Sequence, residues 1–327
     1  MSEHRILVTE PIPETVIDFL STLGRVDVGV KGEFNNEDHL ADVLPKYDAL
    51  LCMLSTPVTE KVLTNASKLK IVANFAVGYN NIDVAAADHL KIKVANTPDV
   101  LTEACGDFAL ALLMATTRRF NEAEKYLREG HFKSWEPMGF LGMELREKTL
   151  GIVGMGRIGQ AFAHRARAFG MKIAYHNRNR ISPEIEHELG ADFFDDLKEL
   201  VSKSDVLSLN CPLTDETHHL IDEETLDLMQ EHAILINISR GPVVDEAALA
   251  KALHSKKIAG AGLDVYEFEP KVHPDLLTAP NCTLLPHIAS ATHETREAIG
   301  MLAATAIKQV LQGVADKNIT NLVTSKS

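Results

Sequence analysis

Three side chains suited to acid–base chemistry each follow a short apolar run typical of a buried β-strand. They are Arg240, Glu269 and His287. In an open α/β sheet, ligands bind beyond the carboxyl ends of the strands, so we expect these side chains to lie along one edge of a sheet. An arginine, a carboxylate and a histidine placed there would suit the reduction of a 2-oxo acid.

Each of the three residues has a role in that reaction. The Arg240 guanidinium can pair with the substrate carboxylate and polarise the neighbouring carbonyl. His287 can donate the proton that the new alkoxide needs, and Glu269 can orient the imidazole and favour its charged form. Each residue taken singly has an alternative. Arg240 could form a salt bridge, Glu269 could be a loop charge, and His287 could be a structural histidine. Their common position after strands of one sheet favours catalysis.

A glycine-rich turn between two predicted strands indicates a dinucleotide site. The strand at residues 149–153 leads into GMGRIG (residues 154–159), and a helix follows at 160–169. In such a turn the glycines allow a tight bend, close approach of a pyrophosphate and close packing of the helix on its strand. The N–H groups at the start of the helix then face the phosphates. The motif alone would be weak, but its position between strand and helix predicts a dinucleotide site.

The residues after the next strand predict which dinucleotide binds. An NAD-binding unit carries Asp or Glu there to hold the ribose 2′-hydroxyl, whereas this chain has Asn177 and Arg178. A carboxylate would repel a 2′-phosphate, while Asn177 can donate hydrogen bonds to it and Arg178 can pair with it. The alternative is that Arg178 and Arg180 are solvated surface charges. We expect a preference for NADP(H), with NAD(H) possible.

Composition limits the class of protein. The 327 residues are 45% apolar and 24% charged, which suits a globular chain of two domains. The net charge of −13 is spread along the chain, which argues against binding nucleic acid or a membrane surface. The cysteines show neither a C-x-x-C pair nor metal-ligand spacing, so we expect no disulfide framework and no metal site. With no signal peptide and no membrane-spanning run, we expect a cytoplasmic location.

Two series of alternating strands and helices predict an α/β fold with two domains. Long helices expected at residues 101–117 and 290–313 bracket the second series, which contains the glycine-rich turn. We therefore expect a dinucleotide-binding domain at residues 99–287. It would be inserted into a substrate domain made of residues 1–98 and 288–327.

Several segments of the chain resemble one known family. They are NFAVGYNNID (74–83), VGMGRIG (153–159), PLTDET (212–217), NISRGPVVD (237–245), GLDVYE (262–267) and PHIAS (286–290). The chain resembles the D-isomer-specific 2-hydroxyacid dehydrogenases, most closely the glyoxylate/hydroxypyruvate reductases. The resemblance implies two Rossmann/flavodoxin-like domains with parallel sheets. It also implies NAD(P)H-dependent reduction of glyoxylate, hydroxypyruvate or a similar 2-oxo acid to the D-2-hydroxy acid.

The resemblance also assigns residues to the site. It gives the catalytic roles to Arg240, Glu269 and His287, and substrate binding to Arg240, His287 and the backbone N–H groups of Val77 and Gly78. A plain turn is the alternative for Val77 and Gly78. The expected cofactor-binding residues are Gly154, Gly156, Arg157, Ile158, Gly159, Gln160, Asn177, Arg178, Asn179, Cys211, Pro212, Thr217, Ile238, Ser239, Arg240, Asp264, His287 and Ala289.

The resemblance further implies a homodimer. The segment at residues 130–137 resembles the stretch that reaches towards the partner's active site in the reductase branch, so Trp135 could border the neighbouring substrate pocket, and a dimer-interface anchor is equally open. One alternative function is an NAD-dependent phosphoglycerate dehydrogenase, disfavoured by Asn177 and Arg178 and by the short segment after the last helix. Another is a dinucleotide-sensing corepressor, disfavoured by the lack of Ser/Pro-rich tails.

Overall fold

The computed structural model describes residues 4–325 and divides the chain into two compact units. Unit 1 comprises the chain up to Leu101 and from Ala291 onward, and unit 2 comprises Thr102–Ser290. Unit 2 is therefore an insertion in unit 1. The substrate domain expected from the sequence includes residues 1–3 and 326–327, which lie outside the described residues.

The secondary-structure elements follow in chain order. The first part of unit 1 contains β1 (His4–Val8), α1 (Glu14–Ser21), β2 (Gly24–Val28), α2 (Glu37–Val43), β3 (Ala49–Cys52), α3 (Glu60–Asn65), β4 (Ile71–Asn74), α4 (Val84–Leu90) and β5 (Lys93–Ala95). Unit 2 contains α5 (Thr102–Thr117), α6 (Phe120–Arg128), β6 (Thr149–Val153), α7 (Arg157–Ala168), β7 (Lys172–His176), α8 (Pro183–Leu189), β8 (Ala191–Phe193), α9 (Leu197–Lys203), β9 (Val206–Leu209), α10 (Glu223–Leu228), β10 (Ile234–Asn237), α11 (Glu246–His254), β11 (Gly260–Leu263) and β12 (Cys282–Leu284). The last part of unit 1 contains α12 (His293–Leu311) and β13 (Leu322–Val323).

The sheet of unit 1 has the strand order β13-β5-β4-β3-β1-β2. Its strands pair in parallel except for β13, which runs antiparallel to β5. Every residue of β3 and β4 is buried, as expected for parallel strands that helices cover on both faces. The parallel α/β fold expected from the sequence is confirmed, and the antiparallel edge strand is an addition to it.

The sheet of unit 2 is wholly parallel, with the order β12-β11-β10-β9-β6-β7-β8. The first strand of this sheet in chain order is β6. The next two strands, β7 and β8, lie on one side of β6, and the strands from β9 onward lie on the other. The strand order therefore reverses between β6 and β9. In doubly wound sheets, ligands bind at this switch point, beyond the carboxyl ends of the strands.

None of the helices within residues 4–325 combines the length and the apolar composition that crossing a membrane requires. The helix α6 differs from the others around it because none of its side chains is buried.

Candidate active site

The glycine-rich turn after β6 contains two positions where the packing of the protein leaves no space for a side chain. Gly154 has a φ of 98°, and a Cβ there would lie 2.6 Å from the backbone nitrogen of Cys211. A Cβ on Gly159 would lie 2.5 Å from the carbonyl oxygen of Gly154. These two positions therefore exclude any side chain, because the turn packs against the segment after β9 and against its own helix.

Gly156 has a different surrounding. A Cβ built there would meet nothing within 4 Å, so the space beside this residue is open. Gly156 is the N-cap of α7, and within residues 4–325 no side chain caps the helix. The positive end of the helix therefore borders the open space, and the side chain of Gln160 braces the turn by donating to the carbonyl of Met155 at 3.1 Å. This arrangement fits a dinucleotide pyrophosphate.

Asn177 follows the carboxyl end of β7 and holds the glycine-rich turn. Its Oδ1 accepts the N–H of Met155 at 2.7 Å, so Nδ2 is the part of the amide that can donate to a ligand. Arg178 and Asn179 are exposed. A hydrogen bond from Thr214 lowers the pKa of Glu216, and the charge of Arg178 adds to this effect. The charge of Arg178 therefore acts on the loop after β9.

Arg180 is fixed by a buried carboxylate. Its Nε and Nη2 bind the two carboxylate oxygens of Glu186 at 2.6 and 2.7 Å. The Tyr175 hydroxyl donates to Glu186 at 2.5 Å and accepts the N–H of Ile181 at 3.2 Å. The alternative expected from the sequence, that Arg178 and Arg180 are both solvated surface charges, does not hold for Arg180, because its guanidinium is paired with Glu186.

The loop after β9 contains the residues expected near the adenosine. Thr217 closes this loop, because its hydroxyl donates to the carbonyl of Pro212 at 2.7 Å and accepts the N–H of Thr214 at 2.8 Å. Cys211 is buried, and burial raises the pKa of its thiol to about 11. The thiol therefore stays protonated at neutral pH, and the loop has a fixed shape beside Gly154.

Asn237, the last residue of β10, shapes the turn that carries Arg240. Its Nδ2 donates to the carbonyl of Arg240 at 3.0 Å, and its Oδ1 accepts the N–H and the hydroxyl of Ser239 at 3.0 and 2.9 Å. The Arg240 guanidinium donates to the carbonyl of Ser239 at 2.7 Å. Burial lowers the pKa of Arg240, and the charge of Glu269 opposes this effect. Ile238, between them, is half-buried and packs against the core of unit 2.

His287 and Glu269 form a hydrogen-bonded pair. The Nδ1 atom of His287 lies 3.0 Å from Oε2 of Glu269, and the other oxygen of Glu269 accepts the N–H of Tyr266 at 3.0 Å. Burial raises the pKa of Glu269, but the hydrogen bond and charge of His287, the N–H of Tyr266 and the charge of Arg240 together outweigh it, so the pKa lies below its ordinary value. The pair reaches solvent, since 33% of the His287 side chain and 38% of the Glu269 side chain are exposed.

The backbone at His287 is held in an uncommon conformation. Its φ is 55°, in the left-handed region that few residues other than glycine adopt. Directly after it, the N–H groups of Ile288 and Ala289 donate to the two oxygens of Asp264, each at 2.8 Å. Asp264 is fully buried, and burial raises its pKa. Both oxygens of Asp264 and the N–H of Ala289 are thus used in fixing the chain around His287.

The two units divide the predicted site residues between them. Val77 and Gly78 follow β4 in unit 1 and are half-buried. The other predicted residues lie in unit 2 after the carboxyl ends of its strands: Gly154, Gly156, Arg157, Ile158, Gly159 and Gln160 after β6; Asn177, Arg178 and Asn179 after β7; Cys211, Pro212 and Thr217 after β9; Ile238, Ser239 and Arg240 after β10; Asp264 and Glu269 after β11; His287 and Ala289 after β12. Sequence reasoning missed Asn237 and Glu186, which hold two of these loops. A polar residue ending an apolar run was the signal for Asn237.

One group of metal-ligating side chains occurs within residues 4–325. The ligand atoms of His218, His219 and Glu267 lie within 4.8 Å of one another. His219 Nε2 lies 2.7 Å from Glu267 Oε1, and the two imidazole rings stack at 4.1 Å. These contacts already pair the groups with one another, and sequence reasoning did not single them out.

The sheet order, the glycine-rich turn and the open space beside Gly156 define a doubly wound α/β protein with a dinucleotide site. Residues 110–289 match the family model for the NAD binding domain of D-isomer specific 2-hydroxyacid dehydrogenases. The glyoxylate reductase of Thermococcus onnurineus is 46% identical to this chain over 97% of this chain and 96% of its own length. That of Pyrococcus furiosus is 46% identical over 97% of this chain and 95% of its own length.

Solved structures show the same relationship. The glyoxylate reductase from Paecilomyes thermophila has a TM-score of 0.88 and 33% identity, over 100% of both chains. The NADPH-dependent glyoxylate/hydroxypyruvate reductase from Sinorhizobium meliloti, in complex with NADP and malonate, has a TM-score of 0.88 and 35% identity over 98% of this chain and 97% of that one. The chain therefore belongs to the D-isomer-specific 2-hydroxyacid dehydrogenase family, and the resemblance found in the sequence is confirmed.

Proposed function

We propose that this protein reduces glyoxylate, hydroxypyruvate or a similar small 2-oxo acid to the D-2-hydroxy acid, with NADPH preferred over NADH. The observation that carries the proposal is the pairing of His287 with Glu269 on the sheet edge that also bears Arg240 and the dinucleotide turn. The glyoxylate reductases among its relatives support the substrate class.

Bound NADPH supplies the hydride in this reaction. Arg240 pairs with the substrate carboxylate and polarises the carbonyl, so that the electron pair of the C=O bond moves to oxygen as the new C–H bond forms. Glu269 holds Nδ1 of His287, which leaves Nε2 to donate a proton to that oxygen. We assign cofactor binding to unit 2, and binding of the substrate carboxylate also to the N–H groups of Val77 and Gly78 in unit 1.

The preference for NADPH rests on Arg178 and Asn177. Arg178 is exposed and makes no hydrogen bond or ion pair with any residue between 4 and 325, while Arg180 is bound to Glu186. A 2′-phosphate would therefore find one unpaired guanidinium and the Nδ2 group of Asn177. The NADP complex of the Sinorhizobium meliloti relative supports this preference.

We also propose that the protein is a homodimer. Between residues 120 and 141, unit 2 exposes large apolar side chains: Phe120 at 52%, Leu127 at 59%, Phe132 at 57%, Trp135 at 79%, Met138 at 75% and Leu141 at 58%. An exposed apolar region of this kind marks an interaction surface, and a second copy of the chain would cover it. In this arrangement Trp135 anchors the interface or borders the partner's substrate pocket.

Steady-state kinetics with a panel of 2-oxo acids, run separately with NADPH and NADH, tests the proposed function. We expect turnover of glyoxylate and hydroxypyruvate, a higher kcat/KM with NADPH, and a product of D configuration. Failure to oxidise NADPH or NADH with any acid of the panel would overturn the assignment, and an L product would overturn the proposed stereochemistry.

A further inference from the structure

In the turn after β4, the carbonyl groups of three consecutive residues each accept a hydrogen bond from a donor outside the turn. Ala76 O accepts the Thr97 N–H at 2.9 Å, Val77 O accepts Asn96 Nδ2 at 2.8 Å, and Gly78 O accepts Asn74 Nδ2 at 2.7 Å. Two of the three donors are therefore side-chain amides, which are unusual partners for consecutive peptides because most backbone carbonyls bond other backbone groups.

Holding a carbonyl fixes the plane of its peptide, and in a trans peptide the N–H points opposite to the C=O. The three hydrogen bonds therefore set the directions of the N–H groups of Val77, Gly78 and Tyr79. No hydrogen bond within residues 4–325 uses these N–H groups, and all three residues are half-buried. Such backbone N–H groups can bind a carboxylate without any cationic side chain.

The side-chain amide of Asn74 is fixed in orientation, because both its oxygen and its nitrogen have hydrogen-bond partners. Its Oδ1 accepts from Cys52 Sγ and from Asn81 Nδ2, each at 3.3 Å, so Nδ2 is the group that faces Gly78. Asn74 is fully buried, and burial raises the pKa of the Cys52 thiol to about 12, which keeps its proton available for donation. Asn74 is therefore locked as a donor towards the turn.

Asn96 is anchored through its backbone. Its N–H donates to the carbonyl of Asn321 at 3.2 Å, and its own carbonyl accepts Asn321 Nδ2 at 2.8 Å. The side chain of Asn96 remains for Val77. The strand end that delivers it is fixed by the backbone bond between the Asn96 N–H and the Asn321 carbonyl, which does not depend on the Asn321 side chain.

We propose that Asn74 and Asn96 are positioning residues for the substrate carboxylate, acting by orienting the N–H groups of Val77 and Gly78. This inference rests on the proposed function. Neither side chain contacts the substrate in this role. Replacing either amide by a carboxylate removes the donor and places a second acceptor against a carbonyl, so the peptide loses its fixed direction.

The test compares Asn96→Asp with Asn321→Asp. The first variant removes the donor to Val77, whereas the control removes only the donor to the Asn96 carbonyl, next to the same site. For Asn96→Asp we expect the KM for glyoxylate and hydroxypyruvate to rise about 10- to 100-fold, because hydrogen bonds to a charged group weaken. We expect kcat and the NADPH affinity, measured by fluorescence titration, to stay close to wild type in both variants.

Two results would overturn the inference: an unchanged KM in Asn96→Asp, or an equal rise in KM in Asn321→Asp. A wild-type chain that reduced none of the acids would instead contradict the proposed function. Titration of the wild-type protein with oxalate, followed by the amide resonances of Val77 and Gly78, then decides the inference without turnover. Shifts in the wild type that are absent in Asn96→Asp support it, and unshifted wild-type resonances or shifts retained in the variant oppose it.

Discussion

The Nδ1 atom of His287 lies 3.0 Å from the Oε2 atom of Glu269, and this hydrogen bond joins the segments that follow two neighbouring strands, β11 and β12. Because the second oxygen of Glu269 accepts the N–H of Tyr266, the carboxylate is already fixed in the protein alone. The imidazole is thereby oriented with Nε2 left for another partner. The pair is preorganised, which is the property that general acid catalysis requires.

Replacing His287 tests its role as the proton donor. Asparagine is the suitable substitution because it tolerates the left-handed backbone, with φ of 55°, better than alanine does. We expect kcat/KM of His287→Asn to fall about 10²- to 10⁴-fold, with NADPH binding nearly intact. His232 provides the control. It pairs with Asp205 and is not among the predicted site residues, so the His232→Asn variant should keep wild-type turnover. Wild-type turnover in His287→Asn would remove this residue from the mechanism.

Gly156 and Gly154 allow a matched test of the dinucleotide turn. A Cβ on Gly156 meets no protein atom within 4 Å, so Gly156→Ala should keep its stability and lose NADPH affinity, by about tenfold or more. Gly154→Ala should instead lose at least about 1–3 kcal/mol of folding free energy, because alanine is strained at this positive φ and its Cβ would lie 2.6 Å from the backbone nitrogen of Cys211. Fluorescence titration and chemical denaturation separate the two effects. Undiminished affinity in Gly156→Ala would show that the pyrophosphate binds elsewhere.

The cofactor preference should respond to Asn177 and Arg178 together. In the double variant Asn177→Asp, Arg178→Ala, we expect the ratio of kcat/KM for NADPH to that for NADH to fall about 10- to 100-fold, since a charge-assisted pair is lost and a repulsion gained. Arg180→Lys is the control, because Arg180 pairs with Glu186 and should not affect this ratio. A double variant that retained the wild-type ratio would place selectivity in other residues.

Glu269 should make a pH-dependent contribution to stability. Its pKa in the folded protein lies below the ordinary 4.5, so the folded state favours the carboxylate more than the unfolded chain does. Its stabilising effect is therefore complete above pH 4.5 and is lost as the pH falls through the folded pKa. Denaturant unfolding of wild type and Glu269→Gln at several pH values should show a stability difference that shrinks below pH 4.5. A difference independent of pH would contradict this account.

Trp135 should affect the oligomeric state. We expect the wild type to be a dimer by light scattering after size-exclusion chromatography, and Trp135→Arg to shift it towards monomer, because a charge would be buried in an apolar interface. Val30, exposed at 67% in unit 1, provides a control in which Val30→Arg leaves the dimer intact. A monomeric wild type at working concentration would refute the dimer.

The elements that sequence reasoning located were those with a continuous pattern. The buried strand β3 and the first three residues of β10 are unbroken apolar runs. Residues that follow such runs must lie at the sheet edge, which is why Arg240 and His287 could be singled out. The short strands β8 and β13, with three and two residues, carry no such pattern. The helix α6 buries no side chain, so no packing face marked it.

The hydrogen bonds that shape the site could not be predicted from the sequence, for a different reason. Asp264 and Asn237 look like ordinary polar residues at strand ends, and only the folded backbone shows which N–H and carbonyl groups they meet. The same holds for Arg178 and Arg180, whose difference depends on Glu186, a residue on the following helix. Local patterns locate such residues but do not identify their partners.

Asn177 holds the glycine-rich turn through its side-chain oxygen alone, by accepting the N–H of Met155. Aspartate carries an oxygen in the same place, so the turn itself does not distinguish the two residues. Under the proposed role of residues 177 and 178, exchanging Asn177 for aspartate would shift the cofactor preference and leave the hydrogen bond that holds the turn in place. The proposed cofactor choice could then evolve separately from the fold that carries it.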